Sequence, residues 1–199
     1  KIEKHECDFG RGGLKLIITD TKGSHADLTD DYVSVPSEMK LIAAQFGKTV
    51  LREVEEEQFY QSLPHLRTVC SHRAILRAAH FYADNARVKK EVEALDKKDF
   101  DTFLNLVRES GRSSAELLQN LYSTKKPVEQ GIPLALMVSK RLLGDDGAFR
   151  VHGGGFAGTI QAFVPVERIE EYRTTMEALF GDDCCYILNI RSEGGYQVI

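Results

Sequence analysis

Apolar and polar positions divide the chain into short runs of strand character and longer stretches of helical period, and their order predicts an α+β fold. Leu14 to Asp20, L-K-L-I-I-T-D, is an apolar run rich in β-branched residues and reads as a strand buried on at least one face. Lys22 to Tyr32 is polar and reads as a loop. Pro36 suits the first turn of a helix in which Met39, Ile42, Ala43 and Phe46 share a face and Gly47 makes the stop. A short acidic helix over Glu55 to Leu63 should end at Pro64. The longest helical pattern runs from about Leu66 to Leu95, with Ile75, Ala79, Tyr82 and Ala86 in one stripe. Asp99 can cap a helix carrying Phe100, Phe103, Leu104 and Val107, which Gly111 would end. Ser113 with Glu116 forms a capping box for another.

Pro133 then suits the first turn of a helix with apolar Leu134, Met137, Val138 and Leu142, stopped by Gly144. A helix over Glu167 to Phe180 separates a strand at Thr159 to Val164 from one at Cys184 to Ile190, a step that requires a sheet covered by helices. Gly194-Gly195 with Tyr196 to Val198 reads either as a short last strand or as a tail. The fold expected is α+β, a mainly antiparallel four-stranded sheet with helices packed on one face. No repeat or domain boundary is visible, so residues 1–199 read as one domain.

The least ordinary segment is Phe149 to Pro165, F-R-V-H-G-G-G-F-A-G-T-I-Q-A-F-V-P, in which four glycines lie between two strand-like segments. Gly153, Gly155 and Gly158 satisfy G-x-G-x-x-G, but a dinucleotide-binding turn requires a helix directly after the last glycine. Thr159, Ile160, Phe163 and Val164 are β-branched or aromatic instead, so the glycines join two antiparallel strands. A hairpin that merely turns the chain is one reading. The other is a bare loop pressed against something close, since Gly153, Gly154, Gly155, Ala157 and Gly158 exceed what a tight turn needs.

Composition narrows the function classes. A hydrophobic share of 42% with 28% charged residues is ordinary for a soluble globular chain. A formal net charge of -4 argues against sequence-independent nucleic-acid binding, and Lys89-Lys90 and Lys97-Lys98 are interleaved with acids. No apolar run approaches the ~20 residues of a membrane helix, so no membrane partner is expected. Cys7, Cys70, Cys184 and Cys185 form no C-x-x-C pair and read as reduced thiols, which fits a cytoplasmic enzyme.

His25, Asp27, Asp30 and Asp31 concentrate acceptors in one segment, yet polar loops collect such residues at turns, and no metal site is assigned there. Asn85 falls near the apolar stripe of the long helix and needs hydrogen-bond partners if buried; with Arg87 it reads as part of a structural network. His72 and His80 are too far apart for a helical two-histidine metal motif and read as ordinary polar residues of the helix.

The run R-V-H-G-G-G-F-A-G-T-I-Q-A-F-V-P resembles the C-terminal signature of galactokinases, within the GHMP kinase superfamily. Asp84-Asn85-Ala86-Arg87 resembles their E-N-A-R segment, Leu51-Arg52-Glu53-Val54 their L-R-D-V, and Asp31-Tyr32 an acidic-Tyr pair beside the sugar. Order and spacing are kept over nearly all of the chain. The resemblance implies a C-terminal kinase domain for which ATP and Mg²⁺ are cofactors and galactose or a related sugar is the acceptor. It places Tyr32 and Asp31 near the sugar, and Gly153, Gly154, Gly155, Phe156 and Gly158 against the phosphate loop. A structural Tyr32, ring packed and hydroxyl bonded, is an equally open reading.

The family's G-E-H-x-D-type sugar-gripping segment and P-x-G-x-G-L-S-S-S-type phosphate loop do not occur, and the chain begins at Lys1. The expectation is therefore a C-terminal half without a catalytic residue of its own, partnered by the N-terminal half of the same kinase. Val35, Pro36 and Met39 stand where galactokinases commonly carry two arginines and a cysteine, and Ala157-Gly158-Thr159 replaces G-G-C, which leaves the sugar open. A kinase-derived sugar sensor and another small-molecule kinase of the superfamily are the alternatives.

Overall fold

The computed structural model describes residue 5, residues 8–24 and residues 26–190. Four strands, β1 (Leu14–Asp20), β2 (Ala148–Val151), β3 (Thr159–Pro165) and β4 (Cys185–Leu188), form one sheet in the order β2-β3-β1-β4. Every neighbouring pair is antiparallel, with Ile17 opposite Ala162 on one side and Ile187 on the other. β1 matches the expected bounds because its apolar run is flanked by glycine and by a polar stretch. The proposed last strand at Tyr196 to Val198 lies outside the described residues, as do His25 and Cys7.

The helices are α1 (Thr29–Ala44), α2 (Glu56–Gln61), α3 (Leu63–Val69), α4 (His72–Asp96), α5 (Phe100–Ser113), α6 (Gly131–Leu143) and α7 (Ile169–Phe180). The α+β class and the antiparallel sheet are as expected, but helices cover both faces of the sheet. Ile17, Ala162 and Val164 pack with Val138 and Leu143 of α6 and Tyr172 and Met176 of α7. Leu14, Ala148 and Phe163 pack on the opposite face with Phe103, Leu104 and Val107 of α5 and Ala94 of α4. The reason is in β1 itself: Leu14, Leu16 and Ile17 put apolar side chains on both sides, as in a strand buried on two faces. A separate cluster of Ile42, Phe59, Leu66, Ala78 and Tyr82 joins α1 to α4 away from the sheet.

Several expected boundaries move. α1 begins at Thr29, ahead of Pro36, so the expected loop to Tyr32 is shorter and the proline lies inside the helix. Tertiary bonds hold that first stretch: Ser123 Oγ donates to Asp31 and Arg77 Nη1 to Ser34 Oγ. Asp30 and Asp31 in the first turn also suit the positive end of the helix dipole. Pro64 opens α3 where it was expected only to stop the acidic helix. The long helix starts at His72, behind an extended Cys70, because Ser71 caps it by accepting from Ala74 N-H. Of its expected stripe Tyr82 is buried, but Ala86 is exposed.

α5 is capped by Asp99 as expected but runs past Gly111. A Cβ there would stand 3.0 Å from the Phe149 carbonyl oxygen, so this glycine serves close approach to β2. The helix expected from Ser113 and Glu116 is a π-helical turn, Ser114–Leu118, continuing α5. Ser113 Oγ is instead bonded to His80 Nδ1 at 2.8 Å. That contact also revises His80, which is 6% exposed and belongs to the interior.

Candidate functional site

The hairpin between β2 and β3 carries the glycines, and its base is closed by His152 N-H donating to Thr159 O. Thr21, directly after β1, pins the far end by donating to the Gly158 carbonyl from both its backbone N-H, at 2.8 Å, and its hydroxyl, at 2.7 Å. Between these anchors the loop runs against two other parts of the chain, α1 and the segment after the π-helical turn.

From α1, the Tyr32 hydroxyl donates to the Gly155 carbonyl at 2.9 Å, across 123 positions of sequence. Its ring meets Phe156 edge-on, with centroids 5.5 Å apart. A Cβ on Gly154 would stand 2.6 Å from Tyr32 Cε1, so only glycine admits the ring at this distance. From the other side comes Asn120, whose Nδ2 donates to Gly154 O at 3.1 Å while its backbone oxygen accepts from Phe156 N-H at 2.6 Å. A Cβ on Gly155 would overlap that same carbonyl oxygen, and the residue has φ +77. The close-packed reading of the glycine run therefore holds, and the packing partners lie within the chain.

Both contacting elements are set by one buried guanidinium. Arg77 of α4, 1% exposed, donates through Nη1 to Ser34 Oγ at 2.8 Å and Glu38 at 2.9 Å on α1, and through Nε to the Leu118 carbonyl at 3.1 Å. Arg73 completes the group with a bidentate pair to Glu38, Nε donating to Oε2 and Nη2 to Oε1. Burial pulls the Arg77 guanidinium below its ordinary pKa, against the pull of Glu38, whereas hydrogen bonding to Glu38 raises that of Arg73. Ser123 and Lys125, just beyond Asn120, bond Asp31 and Asp30 of α1 at 2.7 Å each. Burial, and then the Asp31 charge, push the Tyr32 phenol up, so it keeps the proton it donates to Gly155.

The structure thus brings together Asp31, Tyr32 and the Gly154–Phe156 tip. Gly153 also lies in the loop, but nothing stands within 4 Å of where its Cβ would be. Asn120, Arg77 and Ser123 were not anticipated. Arg77 alone left a signal, a charge between Ala74 and Ala78 on the inward face of α4. Asn85 and Arg87 sit elsewhere: Asn85 accepts from Arg52, and Arg87 joins Asp84, Ser110 and Arg150 in a network linking α4, α5 and β2. Among the described residues no group of three His, Cys, Asp or Glu side chains could hold a metal ion. Cys184 is buried beside Cys185, with its thiol pushed up to about 12 chiefly by burial, as an inert core residue would be.

No protein-family model matches the chain. It is similar to curated galactokinases from Glaesserella parasuis serovar 5, 31% identical over 161 residues, and from Mannheimia succiniciproducens, 29% identical over 160 residues. Over most of its length the chain is thus similar to the C-terminal part of galactokinases. Those alignments take in 81% and 80% of the chain but 40% of each relative, so it spans about two fifths of their length. The crystal structure of Lactococcus lactis galactokinase complexed with galactose superposes with a TM-score of 0.65 and 18% identity, covering 88% of this chain and 45% of that one. At that identity the likeness speaks for the shared fold, which in this chain carries the glycine hairpin and Tyr32 described above.

Proposed function

We propose that this chain is the C-terminal domain of a galactokinase-type enzyme that transfers the γ-phosphoryl group of ATP to the anomeric hydroxyl of galactose, giving galactose 1-phosphate. The observation that carries the reading is the contact of Tyr32 with Gly154 and Gly155, which joins the acidic-Tyr pair to the glycine signature at one place. Phosphoryl transfer depends mostly on positioning and on charge stabilisation. A loop held from both sides suits the first of these tasks. Tyr32, with Asp31 beside it, offers an aromatic edge and hydroxyl chemistry of the kind that orients a sugar.

ATP with Mg²⁺ supplies the phosphoryl group and its charge compensation when bound. The residues that grip the sugar, cradle the phosphates and accept the hydroxyl proton are assigned to the N-terminal half of the same kinase, the partner of this domain. The chain alone does not turn over on this reading, and the enzyme works in the cytoplasm.

The test is reassembly. Mixed with the N-terminal half of the kinase, the chain restores galactose-dependent ADP release, and neither piece releases ADP alone. Turnover by this chain alone refutes the division of labour. Galactose binding by the reassembled protein without ADP release selects the sensor reading instead.

A further inference from the structure

Asn120 is 2% exposed, and its Oδ1 is buried with no hydrogen-bond partner among the described residues. Gly154 O can only accept, so the amide nitrogen has to face it and the amide oxygen is the atom left over. Buried polar atoms without partners are few in native proteins, and each calls for an explanation.

The same place holds two departures from ordinary backbone geometry. Gln119, next to Asn120, has φ 57, and Phe156, which donates to Asn120, has φ 64, both in the left-handed region that non-glycine residues avoid. Such residues persist where the surroundings over-determine them, and they gather at ligand clamps and switch regions. Here the surroundings are Asn120 itself: one residue donates to Gly154 and accepts from Phe156, fixing both sides of the loop tip.

We propose that Asn120 is the latch of the glycine loop, its amide nitrogen holding Gly154 and its unmet amide oxygen reserved for a hydroxyl donor of the bound ligand. The second half of this rests on the reading of the site as a sugar site. Gly154 O, Gly155 O and Asn120 Oδ1 make the loop tip rich in acceptors. That chemistry suits a polyol, which brings donors, and not a phosphate dianion, which brings none. Oδ1 is buried in this arrangement, so a ligand hydroxyl meets it only once the loop tip moves.

The test is amide hydrogen exchange on the 199-residue chain, followed by NMR, for wild type, Asn120→Leu and Asn120→Asp. Asn120→Leu is close in shape and lacks both polar atoms. Exchange protection of the Phe156 amide should fall about tenfold, the scale of one net hydrogen bond, while the Ala162 amide in β3 keeps its own. In Asn120→Asp, Phe156 protection should be low at neutral pH and recover as the new carboxyl is protonated, because only the protonated form can donate to Gly154 O. Unchanged Phe156 protection in Asn120→Leu overturns the latch, and so does its loss together with that of Ala162. Galactose titrated into the wild-type chain reassembled with the N-terminal half, which grips the sugar, should shift the Asn120 side-chain amide along with Tyr32 and Gly154. Shifts at Tyr32 and Gly154 without Asn120 overturn the reserved acceptor. If none of the three shifts, the sugar-site reading is what fails, and the latch is judged by exchange alone.

Discussion

Gly154 and Tyr32 are fitted to each other: a methyl group on the glycine would stand 2.6 Å from Cε1 of the ring. Gly154→Ala should therefore force the ring, the loop or both to move, a destabilisation of about 1–3 kcal/mol on the scale of overpacked sites. Tyr32→Ala removes the obstacle. In the double variant the alanine at 154 should cost much less than it does alone, a coupling that denaturant unfolding of the four proteins reads directly. Additive losses would mean that the two residues do not meet in solution.

The buried guanidinium of Arg77 sets the positions of both Tyr32 and Asn120, through Ser34 and Glu38 on one side and Leu118 on the other. Arg77→Met should destabilise the chain by about 3 kcal/mol, the lower end for breaking a buried pair, since Arg73 still faces Glu38. Arg77→Lys should recover little, because an ammonium cannot reach Ser34, Glu38 and Leu118 at once as the planar fork does. Urea midpoints of the two variants decide this, and full recovery by lysine would contradict it.

His80 makes stability pH-dependent. Its folded pKa lies below the ordinary histidine value, chiefly from burial, while Asp84 raises it and Arg150 and Arg87 lower it further. In the unfolded chain the imidazole takes up its proton near the usual ~6.5, so as pH falls through that value the unfolded state binds more protons and gains. Stability should therefore decline from pH 7.5 toward the depressed folded pKa. His80→Gln, which can still bond Ser113, should show a smaller decline over the same interval. Parallel curves for the two proteins in urea would remove His80 as the cause.

Elements announced by their own residues were legible in the sequence. β1 stands at its expected bounds because an apolar β-branched run between glycine and polar residues has no competing helical period, and α6 stops at Gly144 as expected. Local breaker signals misled where tertiary contacts overrode them. Pro36 lies inside α1 because Ser123 and Arg77 hold the turns before it. Gly111 lies inside α5 because its lack of a side chain is spent on approach to β2.

The site was half legible for the same reason. A run of glycines signals close approach, but not what approaches, and the Tyr32 hydrogen bond spans 123 positions. Asn120 had no signal at all. Its role comes from the π-helical turn and the left-handed Gln119 that deliver it to the loop, and neither is written in a motif.

The most direct test of the account is galactose-dependent ADP release by the reassembled kinase carrying Gly154→Ala, at a temperature where circular dichroism shows the variant folded. If the Tyr32 and glycine-loop contact shapes the reaction centre, kcat/KM should fall at least about tenfold, a loss of about 1.4 kcal/mol of transition-state stabilisation. Wild-type kcat/KM in a folded Gly154→Ala protein would contradict it.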